Sequence, residues 1–241
     1  MRKIWIILLS VSFLYADWDP AYCLPDSDQS LLEDPIFQKL KWDMKQSLAT
    51  SWCSAEKVDL IMDLIYLTQP ELCVEIGTLT GSTALPILTA LRYAQSGNLV
   101  AIDAWSNAVA IQNMAPDDPN RPWWSTINMT WAYQTFEQEL ETRSLFAFCN
   151  ILRTTSENAV FFVGDNIDFL HLDGDYSEKG SLRDVELYLP KVKPGGYILL
   201  SNVFVMVNGK APKMKSFSKL FEECEMLCEI DRDNAVLFRK N

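Results

Sequence analysis

The apolar positions change period along the chain. Val58, Ile61, Met62 and Ile65 recur at helical spacing within "SAEKVDLIMDLIYLTQ", which predicts one buried helix face. Ser54 is placed to cap its start, and Pro70 to enforce its end. Upstream, "SLLEDPIFQKLKWDMKQSL" has more scattered helical spacing. From residue 71 the pattern becomes short apolar runs that stop at glycine or aspartate. "ELCVEIG", "GNLVAIDAW", "AFCNILR", "IDFLHLDGD" and "GYILLSNV" read as buried strands by length. Between them, "STALPILTALRYA" and "SLRDVELYLPKV" read as helices, with Pro86 in the first turn of the former or kinking it. "FSKLFEECE" is a last helix, and "MLCEI" and "AVLFR" flank "DRDN" as a closing hairpin.

Strands alternating with helices predict an α/β fold. The expectation is a Rossmann-like, doubly wound sheet, mostly parallel, with a C-terminal antiparallel hairpin strand and an N-terminal helical extension. Residues 17–70 would form the extension and residues 71–241 the main domain. Residues 106–144 form an excursion, a candidate substrate lid, bearing the loop-like "APDDPNRP" and Trp123, Trp124 and Trp131. Trp124 and Trp131, seven apart, can form a helical stripe; for Trp131 the expectation is packing on the core. Ligands of such sheets sit at the carboxyl ends of the strands, where Glu75, Asp103 and Asp173 all fall.

The ends of the chain and its charge narrow the context. "MRK" followed by "IWIILLSVSFLYA" resembles a secretory signal peptide over residues 1–16, and an uncleaved anchor is the alternative. Export to a periplasm or medium is expected, or a cytoplasmic location if the segment is not a signal. Six cysteines fit an oxidising compartment; Cys23 with Cys53, and Cys224 with Cys228, are conceivable pairs, and Cys73 and Cys149 read as buried thiols. A net charge of −11 repels phosphate backbones and argues against a nucleic-acid partner. Membrane contact is expected only through an uncleaved leader; a homo-oligomer is open. No C-x-x-C occurs and there is one histidine, His171, so a structural zinc site is not expected.

The candidate chemistry lies in three motifs. In "VEIGTLTGST", Gly77 and Gly81 bracket a tight turn between strand and helix without the dinucleotide glycine pattern. Glu75 suits a ligand with a cationic head; the plain alternative is an ordinary turn. Asp103, at the end of the second strand, can accept both hydroxyls of a ribose, or cap a helix. Ser156 can meet an adenine edge or cap a short helix.

Taken in order, "VEIGTLTGST", "VAIDAWSNAVAI", "LRTTSENA" and "IDFLHLDGDYSEKGSLRDVELYLPKVKPGGYILL" resemble the class I S-adenosylmethionine-dependent methyltransferases of the methyltransferase-24 group, relatives of macrocin and catechol O-methyltransferases. The resemblance implies S-adenosylmethionine as cofactor. Glu75, Gly77, Thr78, Gly81 and Ser82 would hold its methionine end, Asp103 its ribose and Ser156 its adenine, with Asp173 beside the methyl donor. It implies a small-molecule acceptor methylated at oxygen. In two places the chain departs from relatives. Tyr176 stands where a histidine base is expected, and Ser201-Asn202 stands where an acidic pair completes a divalent-metal site. Asp173 and Asn202 are the remaining candidate metal ligands. Asp173, Asp175 and Tyr176 are the candidate catalytic groups. His171, two residues before Asp173, is expected to be structural or to reach the pocket. The alternative function is an impaired, exported small-ligand-binding protein on this fold. A nicotinamide dehydrogenase is disfavoured by the missing glycine and by Glu75.

Overall fold

The computed structural model describes Leu24 and residues 29–241; the signal-like leader and Cys23 lie outside the described residues. Seven strands form one sheet in the order β3-β2-β1-β4-β5-β7-β6. These are β1 (Leu72–Ile76), β2 (Asn98–Asp103), β3 (Cys149–Arg153), β4 (Ile167–Leu172), β5 (Val192–Leu200), β6 (Cys224–Ile230) and β7 (Ala235–Lys240). The first five strands pair in parallel, and β7 is antiparallel to both β5 and β6. This is the expected mostly parallel sheet closed by an antiparallel hairpin. β1 and β4 lie side by side although far apart in sequence, so the order of winding reverses between them, where such sheets open a crevice.

The period-2 alternation of the strands sorts side chains into two cores. Cys73, Leu99, Ala101, Phe169 and Leu199 face α1 (Pro35–Ser47), α2 (Ala55–Thr68), α3 (Ala84–Ala94) and, after α4 (Asn107–Ala110) and α5 (Arg121–Thr126), α6 (Met129–Thr142). Val74, Ile76, Val100, Leu170, Leu172 and Ile198 face α7 (Ser156–Ala159), α8 (Glu178–Tyr188) and α9 (Met214–Glu223) on the other side. Glu75 and His171 share the parity of the first set. The β1–β4 register makes them direct cross-strand neighbours on that face.

Local signals account for the helices that frame the site. Asp34 caps α1 by accepting from the Ile36 and Phe37 amides, with Pro35 in its first turn. Ser54 caps α2 by accepting from the Lys57 amide at 3.1 Å, and Gln69 ends it in a left-handed conformation just before Pro70. Val58, Ile61, Met62 and Ile65 are all buried. Lys41 and Asp63 join α1 to α2 through a buried ion pair at 2.7 Å.

Several expectations are corrected here. Cys53 and Cys224 are free thiols, so neither proposed pairing forms; Cys228 is nevertheless disulfide-bonded. Cys149 is only partly buried, because β3 is the edge strand and one face lies open. The Trp124–Trp131 stripe does not exist, since the helix is interrupted between α5 and α6 at Ile127 and Asn128. Asn128 caps α6 instead, accepting from the Trp131 amide at 2.9 Å. Trp131 points outward at 54% exposure, and Phe136 and Leu140 carry the packing of α6.

Candidate active site

Two adjoining hollows open at the carboxyl ends of β1, β2 and β4. The inner one, about 120 Å³, is lined among others by Asp103, Ser106, Ser156 and Asp184. The outer one is a cleft of about 1200 Å³ lined among others by Lys57, Glu75, Ser82, Ser201 and Asn202. Gly77, Leu79, Trp124, Asp173 and Tyr176 line both and form the wall they share. The motifs separated in sequence therefore meet at one place, on the strand ends of the switch point.

The first turn explains its glycines. Gly77 has φ +91°, and a Cβ there would lie 2.4 Å from the Asp173 carbonyl oxygen. Only glycine lets the exit of β1 sit against the exit of β4. Gly81 is required by packing: its Cβ would lie 2.4 Å from the Phe136 ring. Asp103 reaches into this turn. One carboxylate oxygen accepts from the Leu79 amide at 2.9 Å and the other from the Trp105 amide at 2.7 Å. Burial raises its pKa, and the Trp105, Leu79 and Ala104 amides oppose that rise. Each oxygen keeps a second lone pair for a ligand.

On the outer side lies a buried polar chain. Lys57 Nζ donates to Ser201 Oγ at 2.8 Å, and Ser201 Oγ is 2.9 Å from His171 Nε2. His171 Nδ1 is 3.0 Å from Glu75 Oε1. Burial, with Lys57 and Lys213 nearby, holds the imidazole pKa well below its usual range, so His171 is neutral. With the ring proton on Nδ1, the donor order is Lys57 to Ser201, Ser201 to Nε2, and Nδ1–H to Glu75. Glu75 Oε2 and the Thr78 hydroxyl are both buried without a well-formed hydrogen bond among the described residues, and Thr78 lies close enough to oppose the rise of the Glu75 pKa. Burial raises the Glu75 carboxyl to about 8, so at neutral pH the ligand-free protein holds it mostly as the acid. His171 is thus tied into the structure, 0% exposed, and does not face the cleft directly.

The acidic exit of β4 splits into separate roles. Asp173 Oδ1 accepts from Asn202 Nδ2 and pairs with Lys213 Nζ at 3.8 Å. Asp175 also lines the inner hollow, but its oxygens accept from the Ser177 amide at 2.7 Å and Asn113 Nδ2 at 2.8 Å, so both are engaged in holding the turn into α8. Tyr176 is corrected too. Burial and the Asp173 charge push its phenol far upward, so it is a neutral donor and not a base. Ser156 is not the cap of α7; Thr155 is. The Ser156 hydroxyl donates to Asp184, whose carboxyl burial raises to about 7.

Residues 74–203, more than half of the chain, match the family model described as a methyltransferase domain. The chain belongs to this methyltransferase family. Solved structures agree in fold. A methyltransferase of Podospora anserina bound to S-adenosylhomocysteine has 15% identity and a TM-score of 0.58, covering 92% of this chain and 93% of that one. An O-methyltransferase of Bacillus cereus in complex with S-adenosylhomocysteine has 14% identity and a TM-score of 0.57, covering 89% and 96%. An O-methyltransferase of Streptomyces achromogenes involved in tomaymycin synthesis, in complex with S-adenosylmethionine, has 15% identity and a TM-score of 0.56, covering 88% and 93%. No curated protein matches the sequence.

The methyltransferase site departs from a metal centre in its donors. A carboxylate accepts only, so Asn202 turns its amide nitrogen, not its oxygen, towards Asp173. That nitrogen also lies 3.2 Å from the Tyr176 hydroxyl. Ser201 is occupied by Lys57 and His171. A hard divalent cation wants several converging oxygens with carboxylate charge. Among the described residues, no group of three or more carboxylate, imidazole or thiolate side chains is arranged to hold one. Asp173 and Asn202, the candidate ligands, therefore do not form a fitting site for a divalent metal.

Two functional-looking residues had no counterpart in the sequence reading. Lys57 lies four residues before Ile61, within the apolar face of α2; a charge in that stripe was the available signal. Lys213 sits in a lysine-bearing loop, "NGKAPKMKS", where nothing sets it apart. The methyltransferase also carries an aromatic wall along the outer cleft. Trp52 meets Trp123 at 5.3 Å between ring centroids, Trp123 meets Trp124 at 4.7 Å, and Trp124 meets Tyr176 at 5.6 Å.

Proposed function

We propose that the protein transfers the methyl group of S-adenosylmethionine to a hydroxyl of a small molecule. The observation that carries this reading is the buried Glu75 carboxyl, whose Oε2 has no well-formed hydrogen bond among the described residues, in the outer cleft, with Asp103 lining the adjoining inner hollow. An ammonium is the group that Glu75 lacks, and a ribose diol fits the spare lone pairs of Asp103. The donor would lie across the shared wall, its methyl group near Asp173 and Tyr176. S-adenosylmethionine or its demethylated product occupies the similar structures named above, which supports the same donor here.

In the reaction the acceptor oxygen attacks the methyl carbon in line, the oxygen–carbon bond forms, and the sulfur–carbon bond breaks. The products are a methyl ether, S-adenosylhomocysteine and a proton. Asp173 Oδ2, which is not the oxygen held by Asn202, takes the acceptor proton. Tyr176, protonated and beside it, orients the acceptor oxygen by donating a hydrogen bond. The tryptophan wall of the outer cleft favours a flat or ring-shaped acceptor. The signal-like leader and the disulfide at Cys228 support an exported protein.

Calorimetric titration with S-adenosylhomocysteine tests the donor assignment. Binding is expected, and Asp103→Ala should weaken it by about tenfold or more. No binding at millimolar ligand would overturn the reading. Mass spectrometry of the mature N-terminus tests export; an intact leader on protein recovered from the producing cell speaks against it.

A further inference from the structure

We propose that the ammonium of Lys213 is the built-in counter-cation of this site, standing where a divalent cation would otherwise balance Asp173, and that the protein therefore excludes such a cation. The inference rests on the methyl-transfer reading for the role of the site, but not for whether a cation binds.

Lys213 is 2% exposed and sits directly before α9. Its nitrogen is 3.8 Å from Asp173 Oδ1 and 5.2 Å from the centre of the Tyr176 ring. It thus touches two of the residues that form the shared wall of the two hollows. The helix that follows is locked in place, because Ser216 Oγ donates to Ser181 Oγ of α8 at 2.9 Å in a buried contact. A buried ammonium needs nearby anions, and Asp173 is the chief one, with Asp184 and Asp175 adding to it.

The rest of the neighbourhood is arranged around that cation. Asn202 donates to the same Asp173 oxygen and so presents hydrogens where a metal needs lone pairs. Ser201, which could offer an oxygen, is held by a second buried ammonium, Lys57. A divalent ion entering here would meet the two lysines, and the carboxylate closest to Lys213, Asp173, is already engaged by Asn202 and Lys213. Lys213 acts through Asp173, holding the carboxylate in place at Oδ1. It is a positioning residue.

The test is a Mn²⁺ titration of the purified full chain followed by electron paramagnetic resonance, with circular dichroism as the control of folding and S-adenosylhomocysteine binding read separately. The wild type should bind no Mn²⁺ tighter than about 1 mM. Lys213→Met should gain a site at least about tenfold tighter, because it leaves Asp173 unbalanced. Lys213→Arg should stay without one. Mn²⁺ binding by the wild type that Asp173→Asn removes would overturn the proposal. So would a Lys213→Met protein that folds and gains no Mn²⁺. Should Lys213→Met not fold, the wild-type titration with its Asp173→Asn control decides alone. Failure of the wild type to bind S-adenosylhomocysteine sinks the donor assignment while leaving the cation result readable.

Discussion

Replacing Glu75 with glutamine probes the ligand pocket at its most informative atom. The side chain keeps its shape but loses its charge. In the ligand-free protein, burial holds the carboxyl at about 8. A ligand ammonium placed at Oε2 favours the ionised form and must therefore displace a proton. Below the midpoint the apparent affinity of S-adenosylhomocysteine should rise with pH. A single group titrating at about 8 makes the gain about 50-fold between pH 6 and pH 8, flattening above. At pH 7 binding should release about 0.9 proton, seen by calorimetry in buffers of different ionisation enthalpy. Glu75→Gln should lose about 10- to 100-fold in affinity at pH 8, as expected for a missing charge-assisted hydrogen bond. It should also lose the proton release. The variant separates Glu75 from Asp103 and Asp184, whose carboxyls burial also raises and which it leaves intact. The stability of the ligand-free protein carries the same signature. An acid raised above its unfolded value of 4.5 contributes stability below that pH and loses it as pH rises through about 8. A variant that keeps the wild-type pH slope and proton release refutes the assignment of the ammonium to Glu75.

Other substitutions test the frame around the site. Gly81→Ala places a methyl 2.4 Å from the Phe136 ring at φ +86°, and should cost about 1–3 kcal/mol of stability, read as a lowered Tm. Lys41→Ala leaves Asp63 buried without its cation and should cost about 3–5 kcal/mol in denaturant unfolding; Lys41→Met with Asp63→Leu should recover most of it. Peptide mapping after alkylation under denaturing, non-reducing conditions should find Cys53, Cys73, Cys149 and Cys224 labelled and Cys228 protected. A labelled Cys228 refutes the disulfide.

Much of the site was legible because strand ends announce themselves. Short apolar runs that stop at Gly77, Asp103 and Asp173 mark where a buried strand meets the crevice, and the structure brings these residues to neighbouring strands. The roles assigned within "DGDY" fared differently. Asp175 and Tyr176 both carry groups that can act as bases. Which one faces a ligand depends on the turn into α8, on Asn113 and on the depth of burial, none of which is local. Trp131 was misplaced for a similar reason. Spacing of seven suggests one helix face only if one helix spans it, and the cap at Asn128 starts a new one.

By itself, the sequence determined the parallel sheet, its helical covering and the strand-end placement of the acidic residues, because periodicity and the stops at glycine and aspartate act over a few residues. Only the tertiary structure decided the partners. Glu75 meets His171 through the register of two strands 96 residues apart. Ser201 meets Lys57 across 144 residues, and Lys213 reaches Asp173 only because α9 docks on α8. Those contacts set which charges are buried together. In a low-dielectric interior, that grouping settles which carboxyl is ionised, which oxygen is left open and whether a metal has room.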